Sequence, residues 1–459
     1  MKKCYTTIIG IAALVLNSCN QFVELDSPKT QIVDDKVFVN DAGARAAVSG
    51  IFSQMMAGSS FASGSSNSVT LITGLSADEL NNNSTSQDQV ALYNNNLSPV
   101  NNSAVSSNWN DMYAFVYDAN AILEGIAGSE GVTTLVKNQV MGEARFIRAF
   151  SYFYLINLFG DVPLLTTTDY RVNRLASRAP MTEVYQQIET DLIEAQKLLL
   201  DDYSYSGGQK VEPNKWAATA LLARTYLYEQ KWADAEAQAT AIIGSQKFSL
   251  AVDLNAAFLK NSNEAIWQLM PVQPGFNTTE GQLFVIASSP NRVSAATAVT
   301  SVFEIGDKRA TAWIGSFTTG GKTYKFAYKY KVRLRDQPIT EYYMIFRLAE
   351  QYLIRSEARA MLGNLTGSVD DINIIRARAG VTAINSSGLT QQQILDAIDR
   401  ERRCELFIEW GHRWFDLKRS GKIDAVLGPV KPGWQSTDAL YPLPQTEITA
   451  NPNLVQNPQ

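Results

Sequence analysis

Apolar residues recur at helical spacing over most of the chain. A first helix is predicted from about 41 to 56, with apolar side chains three or four residues apart. Those positions are Ala44, Val48, Ile51 and Met55. A pair of helices follows at about 108–127 and 134–158, and the second ends at two stop signals, Gly160 and Pro163. The chain is therefore predicted to be mainly α-helical.

One segment has the small and bulky residues of a tetratricopeptide hairpin. Ala223 and Ala235 would let two antiparallel helices approach closely. The bulky residues beside that contact are Leu222, Tyr226, Trp232 and Ile242. Because such pairs do not recur at a fixed period, we predict hairpins dispersed within one fold. These hairpins are predicted at about 108–160, 182–245 and 345–420.

Two stretches lack helical periodicity, at about 57–107 and 270–340, and are predicted to be rich in loops. The first includes ten Asn and six Ser between residues 81 and 110. Asn favours turns, and its amide offers donors and acceptors to neutral hydroxyl groups. A ligand-binding loop and a solvated connector would both have this composition, so both interpretations stay open.

The second stretch ends in aromatic and basic residues that alternate with period two, from Tyr324 to Arg333. This alternation predicts a strand with one buried aromatic face and one exposed basic face. Interleaved aromatic and basic residues also occur in proteins that bind nucleic acids. Because the rings and the cations would point in opposite directions, we favour the strand.

Composition excludes several kinds of site. The 459 residues include three Cys and one His, too few for a Cys4 zinc site, a His-rich metal site or a relay of several His residues. Forty basic and 45 acidic side chains give a formal charge of -5, which does not indicate nucleic acid. The stretch 46–136 contains seven acidic residues and no Lys or Arg, which predicts a surface that repels polyanions. We therefore predict no metal-ligating residues in the site, no cofactor and no nucleic-acid partner.

A search for catalytic residues finds mainly structural ones. Glu401, Glu405 and Glu409 share one helix face, as paired catalytic carboxylates would. A network of ion pairs is the favoured interpretation, because four arginines surround them: Arg400, Arg402, Arg403 and Arg413. His412 and Cys404 lie beside bulky apolar residues and are interpreted as packing residues. We predict that the protein is not an enzyme, with a surface glycosidase as the weaker alternative.

The N-terminus has the order of residues found in secretory signals. Lys2 and Lys3 precede an apolar run, 8–16, that is too short to span a bilayer. The residues up to Cys19 resemble a bacterial lipobox, which implies cleavage before Cys19 and lipid attached to that residue. The predicted parts are a lipoprotein signal peptide at 1–18, a lipidated tether at 19–40 and a single body at 41–459.

Five further segments resemble the SusD/RagB family of outer-membrane lipoproteins from Bacteroidota. They are Glu143–Pro163, Asp307–Arg309, Arg376–Gly380, Glu401–Gly421 and Pro442–Pro458. The resemblance implies a SusD-like fold, with tetratricopeptide-type hairpins, loop-rich regions and a few short strands. It also implies a protein that faces the cell exterior and binds a nutrient, usually a glycan. Such a protein passes its ligand uncleaved to a SusC-like TonB-dependent transporter.

In relatives of this family, the ligand contacts come from loops that correspond to the two irregular stretches. Because the family shares no ligand motif, the candidates here rest on composition and placement. They are Asn81, Asn83, Tyr93, Phe276, Trp313 and Trp434. We expect these residues to bind a neutral oligosaccharide. A lipoprotein scaffold that docks protein partners without a small ligand is the alternative.

Overall fold

The computed structural model describes residues 37–57, 60–100 and 102–458, and Cys19, the predicted signal peptide and most of the predicted tether lie outside them. Its α-helices are α1 (Asp41–Met55), α2 (Val69–Ser76), α3 (Gln87–Asn94), α4 (Ser103–Ala127), α5 (Thr134–Phe159), α6 (Tyr170–Asn173), α7 (Met181–Leu198), α8 (Lys215–Tyr228), α9 (Trp232–Gly244), α10 (Thr279–Phe284), α11 (Thr297–Thr300), α12 (Arg309–Ala312), α13 (Leu348–Met361), α14 (Leu365–Ala379), α15 (Gln391–Leu406), α16 (His412–Arg419), α17 (Ile423–Leu427) and α18 (Gln445–Ala450). Its strands are β1 (Leu80–Asn82), β2 (Val162–Pro163), β3 (Arg178–Ala179), β4 (Ala265–Leu269), β5 (Val293–Ala295), β6 (Ile314–Thr319), β7 (Lys322–Ala327) and β8 (Tyr343–Arg347). The strands form four two-stranded antiparallel pairs, β1–β5, β2–β3, β4–β8 and β6–β7.

The long helices form one continuous series. Helix α4 packs on α5, α5 on α7, α7 on α8, and α8 on α9. Helix α9 then packs on α13, which also contacts α14 and α15. The helices predicted at 41–56, 108–127 and 134–158 are confirmed, with α4 beginning five residues earlier than predicted. Within the three described ranges, no helix has both the length and the apolar character that crossing a membrane requires.

The helix pair α8–α9 is the predicted close hairpin. Ala223 on α8 and Ala235 on α9 are both fully buried, as expected where two helices approach closely. The bulky residues beside them are buried or half-buried: Leu222, Tyr226, Trp232 and Ile242. The pair of helices is confirmed, whereas its tetratricopeptide character stays a prediction.

The Asn-rich stretch is more regular than predicted. Helix α2, all of whose residues are buried, lies just before it, and α3 and the start of α4 lie within it. The Oδ1 atom of Asn102 accepts a hydrogen bond from the Val105 N–H (3.0 Å) and caps α4. Asn95 adopts a left-handed conformation (φ 51°) that ends α3. The prediction of a loop was wrong for these segments, because Asn stabilises helix ends as well as turns.

The predicted aromatic and basic strand is shorter than expected. Strand β7 ends at Ala327, and the chain then turns into the protein. Lys329 was expected on an exposed basic face, but its side chain is buried. Its Nζ donates to the carbonyl oxygens of Glu405 (3.0 Å) and Phe407 (2.8 Å) and to the Glu409 carboxylate. The alternation therefore predicts the strand β7 correctly. The predicted exposure of Lys329 was wrong, because buried acceptors from a distant segment bind its ammonium group.

The three glutamates spaced by four residues lie in a buried network of ion pairs. Arg309 bonds Glu401 (2.6 Å), and Arg347 bonds both Glu405 (2.5 Å) and Glu409 (2.8 Å). Burial alone would raise the pKa of Glu405, but the surrounding guanidinium groups hold it well below its usual range. The interpretation as ion pairs is confirmed, but the expected partners were wrong. The four arginines near these glutamates in sequence pair with other carboxylates: Arg400 with Glu304, Arg402 with Asp416, and Arg403 and Arg413 with Asp78.

His412 and Cys404 are both buried, as predicted for packing residues. Burial holds the pKa of His412 well below its usual range, and the nearby guanidinium groups of Arg224 and Arg402 act in the same direction. Burial also raises the pKa of the Cys404 thiol to about 12. Both side chains are therefore uncharged at neutral pH.

Glu280 on α10 is buried and should make stability depend on pH. The Tyr343 hydroxyl donates to Glu280 Oε1 (2.9 Å), and burial raises the pKa of Glu280 to about 8. Between about pH 4.5 and 8, the folded state holds a proton that the unfolded state has lost. This contribution to stability is complete below pH 4.5 and disappears as the pH rises through 8.

Replacing Glu280 by Gln removes that titration and keeps the shape of the side chain. We expect the stability of the variant relative to wild type to increase with pH between 5 and 8, by up to about 1.4 kcal/mol per pH unit. Urea unfolding at several pH values measures this difference. Glu183→Gln, at an exposed position on α7, is the matched control. Parallel pH profiles for Glu280→Gln and wild type would contradict the prediction.

Candidate ligand-binding surface

The strand pair β1–β5 joins the two irregular stretches. Asn81 lies opposite Ser294 in this antiparallel pair, although the two segments are far apart in sequence. The pairing continues beyond β1, where the Asn83 N–H donates to the Arg292 carbonyl oxygen (2.7 Å). The two regions that were predicted separately to carry ligand contacts therefore meet at one place, here called the ribbon (residues 80–83 and 292–295).

The ribbon is anchored by the segment that follows α15. Both carboxylate oxygens of Asp78 accept hydrogen bonds from Arg413, at 2.8 and 3.0 Å. The carboxylate of the buried Glu79 accepts a hydrogen bond from the Ile408 N–H (2.9 Å), and burial raises the pKa of Glu79 to about 7. These contacts give the segment Glu401–Gly421 a structural role, because it fixes the start of β1.

Asn81 and Asn83 lie on the ribbon, and both are half-buried. They are two residues apart on an extended segment and so share one face. The Nδ2 of Asn81 donates to the Ala295 carbonyl oxygen (3.2 Å), and the Nδ2 of Asn83 donates to Ser294 Oγ (3.1 Å). Part of the hydrogen-bonding capacity of these amides therefore holds the ribbon together. Each Oδ1 has no hydrogen-bond donor among the described residues.

Arg292 is a residue that the sequence reasoning missed. Its carbonyl oxygen bonds the Asn83 N–H, and its exposed side chain has no ion-pair partner among the described residues. It is the only basic residue between Lys260 and Lys308, and this isolation in the sequence could have identified it. Arg292 places a cation beside the stretch that has no basic residue of its own.

A cleft of about 420 Å³ lies at the other end of α3. It is lined by Asn94, Asn95, Asn96, Leu97, Pro432, Gly433, Gln435 and Asp438. Helix α3 lies between the ribbon residues 80–83 and this cleft in the chain. The side chains of Asn94 and Asn96 are exposed and have no hydrogen-bond partner among the described residues.

Tyr93 and Trp434 lie beside this cleft, and neither is a free aromatic platform. The Lys431 ammonium group lies 4.1 Å from the centroid of the Tyr93 ring and donates to the Tyr93 carbonyl oxygen (2.7 Å). The half-buried Trp434 ring packs edge-on against buried Trp414, with centroids 6.0 Å apart. Its indole N–H donates to Asp424 Oδ1 (2.8 Å). The structure therefore brings Tyr93 and Trp434 together through Lys431, whose carbonyl oxygen accepts the backbone N–H of Trp434 (3.0 Å).

Phe276 lies apart from these groups. Its half-buried ring is covered by the Arg335 guanidinium group, 4.4 Å from the ring centroid. The neighbouring Gly275 carbonyl oxygen accepts the Asp336 N–H (2.7 Å), which fixes the two loops against each other. None of the described contacts of Phe276 reaches the ribbon or the cleft.

Trp313 was predicted to contact a ligand, but it does not lie at the surface. Its side chain is fully buried, its indole N–H donates to the Leu254 carbonyl oxygen (3.0 Å), and its ring packs against Phe258 and Phe407. A ligand at the surface cannot stack on a ring that has no exposed face. The prediction was wrong for this residue, because an aromatic ring among Gly, Ser and Thr residues can belong to the core.

The surface charge differs from the one predicted from the stretch 46–136 alone. Arg413 pairs with Asp78, and Arg403 lies 3.7 Å from the same carboxylate. Arg292 adds an exposed cation beside the ribbon. Cations from other parts of the sequence therefore offset part of the negative charge of this stretch. Among the residues that the structure describes, no three His, Cys, Asp or Glu side chains are grouped as a metal site requires.

Comparison with known proteins places this geometry in a family. Residues 26–227 match a family described as starch-binding and associating with the outer membrane, and residues 192–459 match the SusD family. SusD-like protein P38 of Formosa agariphila is 25% identical to this chain, and the match covers 98% of each chain. Neither matching family is described as an enzyme.

Solved structures show the same fold. A SusD superfamily protein of Bacteroides vulgatus matches with a TM-score of 0.80 and 20% identity, over 91% of this chain and 98% of that chain. A laminarin-binding SusD-like protein matches with a TM-score of 0.77 and 23% identity, over 91% of this chain and 99% of that chain. The predicted fold, mainly α-helical and SusD-like, is confirmed. Because the SusD family match covers more than half of the chain, the protein belongs to the SusD family.

Proposed function

We propose that this protein binds a neutral oligosaccharide at the cell surface and passes it, uncleaved, to a SusC-like TonB-dependent transporter in the outer membrane. The observation that carries the proposal is the pairing of β1 with β5. This pairing brings amide side chains, a free Arg292 and the loops of both irregular stretches to one surface. Amide and guanidinium groups bind hydroxyl groups without requiring a charged ligand.

The ligand class is supported by the family. One of the two matching families is described as starch-binding, and a structurally similar relative binds laminarin. The chemistry of the ribbon agrees with such ligands, because Asn81 and Asn83 each have a side-chain carbonyl oxygen that no described residue bonds and that can accept from a sugar hydroxyl. The rings beside the cleft are partly covered, Tyr93 by Lys431 and Trp434 by Trp414, so we assign the ribbon the larger share of binding.

Binding without cleavage is the part of the proposal that rests on the acidic residues. A glycosidase needs two carboxyl groups that flank a bound sugar. The most conspicuous carboxylates, Glu401, Glu405 and Glu409, are buried and paired with arginine or lysine. Carboxylates held in this way cannot approach a surface ligand, so we propose that the protein has no hydrolytic activity.

Anchoring and delivery complete the proposal. Lipid attached to Cys19 would hold the body at the outer membrane, since several acyl chains give stable attachment without a transmembrane helix. The predicted tether, 19–40, would separate the lipid from the body. A ligand released from the ribbon would then be close to the transporter with which the protein associates.

Calorimetric titration of the purified protein with maltoheptaose and laminariheptaose tests the proposed site. We expect at least one of these saccharides to bind and Arg292→Gln to weaken that binding about tenfold, or about 1.4 kcal/mol. Asn83→Ala should have a comparable effect, because it removes a carbonyl oxygen from the same face. Lys197→Gln, whose side chain is 64% exposed on α7, is the control and should bind like wild type.

Wild-type affinity in both Arg292→Gln and Asn83→Ala would contradict the proposed site. Failure to bind any saccharide, together with co-purification with an outer-membrane barrel, would favour the protein-docking scaffold instead. Time-dependent release of shorter saccharides would contradict binding without cleavage.

A further inference from the structure

A second cavity, of about 500 Å³, lies between α4, the segment 163–174 and the C-terminal segment 447–454. None of the residues that line it belongs to the ribbon or to the cleft at Asn94. Its volume is in the range of cavities that hold small-molecule ligands. It is therefore a separate place where a ligand could bind.

The floor of the cavity is aromatic and rigid. Trp109 is buried and packs edge-on against Phe159, with ring centroids 5.0 Å apart. The Tyr113 hydroxyl donates to the Pro163 carbonyl oxygen (2.8 Å), and Leu454 adds an apolar side chain to the lining. A floor held in this way needs little rearrangement when a ligand binds, which lowers the cost of binding.

Five side chains around the cavity make no side-chain hydrogen bond, ion pair or ring contact with a described residue. They are Asn110, Tyr117, Tyr170, Arg174 and Glu447. The Tyr170 side chain is 70% exposed although it is large and aromatic. Other polar residues of the lining are already engaged, such as Asn120, which accepts from Arg148 (2.7 Å). The free groups are thus concentrated where a ligand would enter.

The free groups define the chemistry of the ligand. Arg174 donates, Glu447 accepts, and Asn110 and the two tyrosine hydroxyls can do both. Sugar hydroxyl groups also donate and accept, and the apolar face of a pyranose ring packs on aromatic rings. The charges of Arg174 and Glu447 sum to zero, so the cavity favours neither a polyanion nor a polycation. An acyl chain would leave Arg174 and Glu447 without partners.

We propose that this cavity is a second saccharide-binding site, which takes one end of a neutral oligosaccharide with its rings against Tyr117 and Tyr170. The class of ligand rests on the proposed function, whereas the location of the site rests on the cavity itself. Two sites on one protein would retain a long glycan more strongly than either site alone, because the second contact becomes intramolecular.

The test uses the full chain purified in detergent, with maltoheptaose, laminariheptaose and the peptide Gly-Tyr-Gly as probes. The Arg292→Gln variant serves as background, because its weakened ribbon leaves the cavity a larger share of the saccharide binding that remains. Adding Tyr170→Ala and Arg174→Ala to this background should weaken the remaining binding at least tenfold. Val172→Ala and Arg171→Ala, exposed neighbours outside the lining, are the matched controls and should change nothing.

Several outcomes would overturn the inference. Remaining saccharide binding that is unaffected by the cavity substitutions would place it elsewhere and leave the proposed function intact. A wild type that binds saccharide, with no binding left in Arg292→Gln, would show one site only. Binding of Gly-Tyr-Gly alone, lost with Tyr170→Ala and Arg174→Ala, would make this a peptide site.

A wild type that binds neither saccharide would instead contradict the proposed function as well as the ligand class of the cavity. Equal melting temperatures of all variants exclude unfolding as the cause of any loss.

Discussion

Replacing Arg347 by Ala is expected to lower the free energy of unfolding by about 3–5 kcal/mol. The Arg347 guanidinium group is buried and bonds Glu264 (2.9 Å), Glu405 (2.5 Å) and Glu409 (2.8 Å). Its removal leaves buried carboxylates with too few cations and little access to water. The remaining cations, Arg309 among them, cannot fill the space that the side chain leaves.

The midpoint of urea unfolding measures the effect of Arg347→Ala. The control is Arg400→Ala, since the Arg400 side chain is 59% exposed and lies 3.6 Å from Glu304. Exposed pairs of this kind contribute about 0–1 kcal/mol, so the control should unfold close to wild type. Equal midpoints for Arg347→Ala and Arg400→Ala would mean that the buried network does not stabilise the fold.

Replacing Trp313 by Ala is likewise expected to lower the free energy of unfolding, by about 3–5 kcal/mol. The indole is fully buried against Phe258 and Phe407 and donates to the Leu254 carbonyl oxygen (3.0 Å). The substitution removes the ring, leaves a cavity and removes one of the two donors to that oxygen among the described residues, so that it keeps only the Ala257 N–H (3.3 Å). The loss of packing and the loss of the hydrogen bond act in the same direction.

Trp434→Ala is the matched control for Trp313→Ala. The Trp434 ring is half-buried and packs on a single ring, Trp414, among the described residues, so the same substitution should shift the urea midpoint less. Saccharide affinity measured well below the melting temperature should be retained by Trp313→Ala, because its ring is not at the surface. An unchanged urea midpoint for Trp313→Ala would contradict its place in the core.

The sequence predicts the helices well because their signals are local. The apolar spacing at 41–56 and 134–158 and the stop signals after it determine where these helices begin and end. The prediction of a loop at 81–110 failed for a local reason too. Asn favours turns and helix caps alike, and only the hydrogen bonds of Asn102 and the backbone angle of Asn95 distinguish the two.

The candidate site was predicted in part. The sequence identified both stretches and the residues Asn81 and Asn83, but it could not bring them together, because the pairing of Asn81 with Ser294 joins segments more than two hundred residues apart. Arg292 was missed for the same reason. Trp313 was assigned to the surface because a strand or loop residue can face either way, and its neighbours in space decide which.

The sequence by itself determined the helical pattern, the shortage of His and Cys that restricts metal chemistry, and the motifs of the family. Only the tertiary structure decided which charges are paired, because the partners of Glu401, Glu405 and Glu409 come from distant segments. Arg309 lies 92 residues before Glu401, and Arg347 lies 58 residues before Glu405. Helix spacing depends on neighbours in the chain, whereas burial, ion pairing and the meeting of two loops depend on neighbours in space.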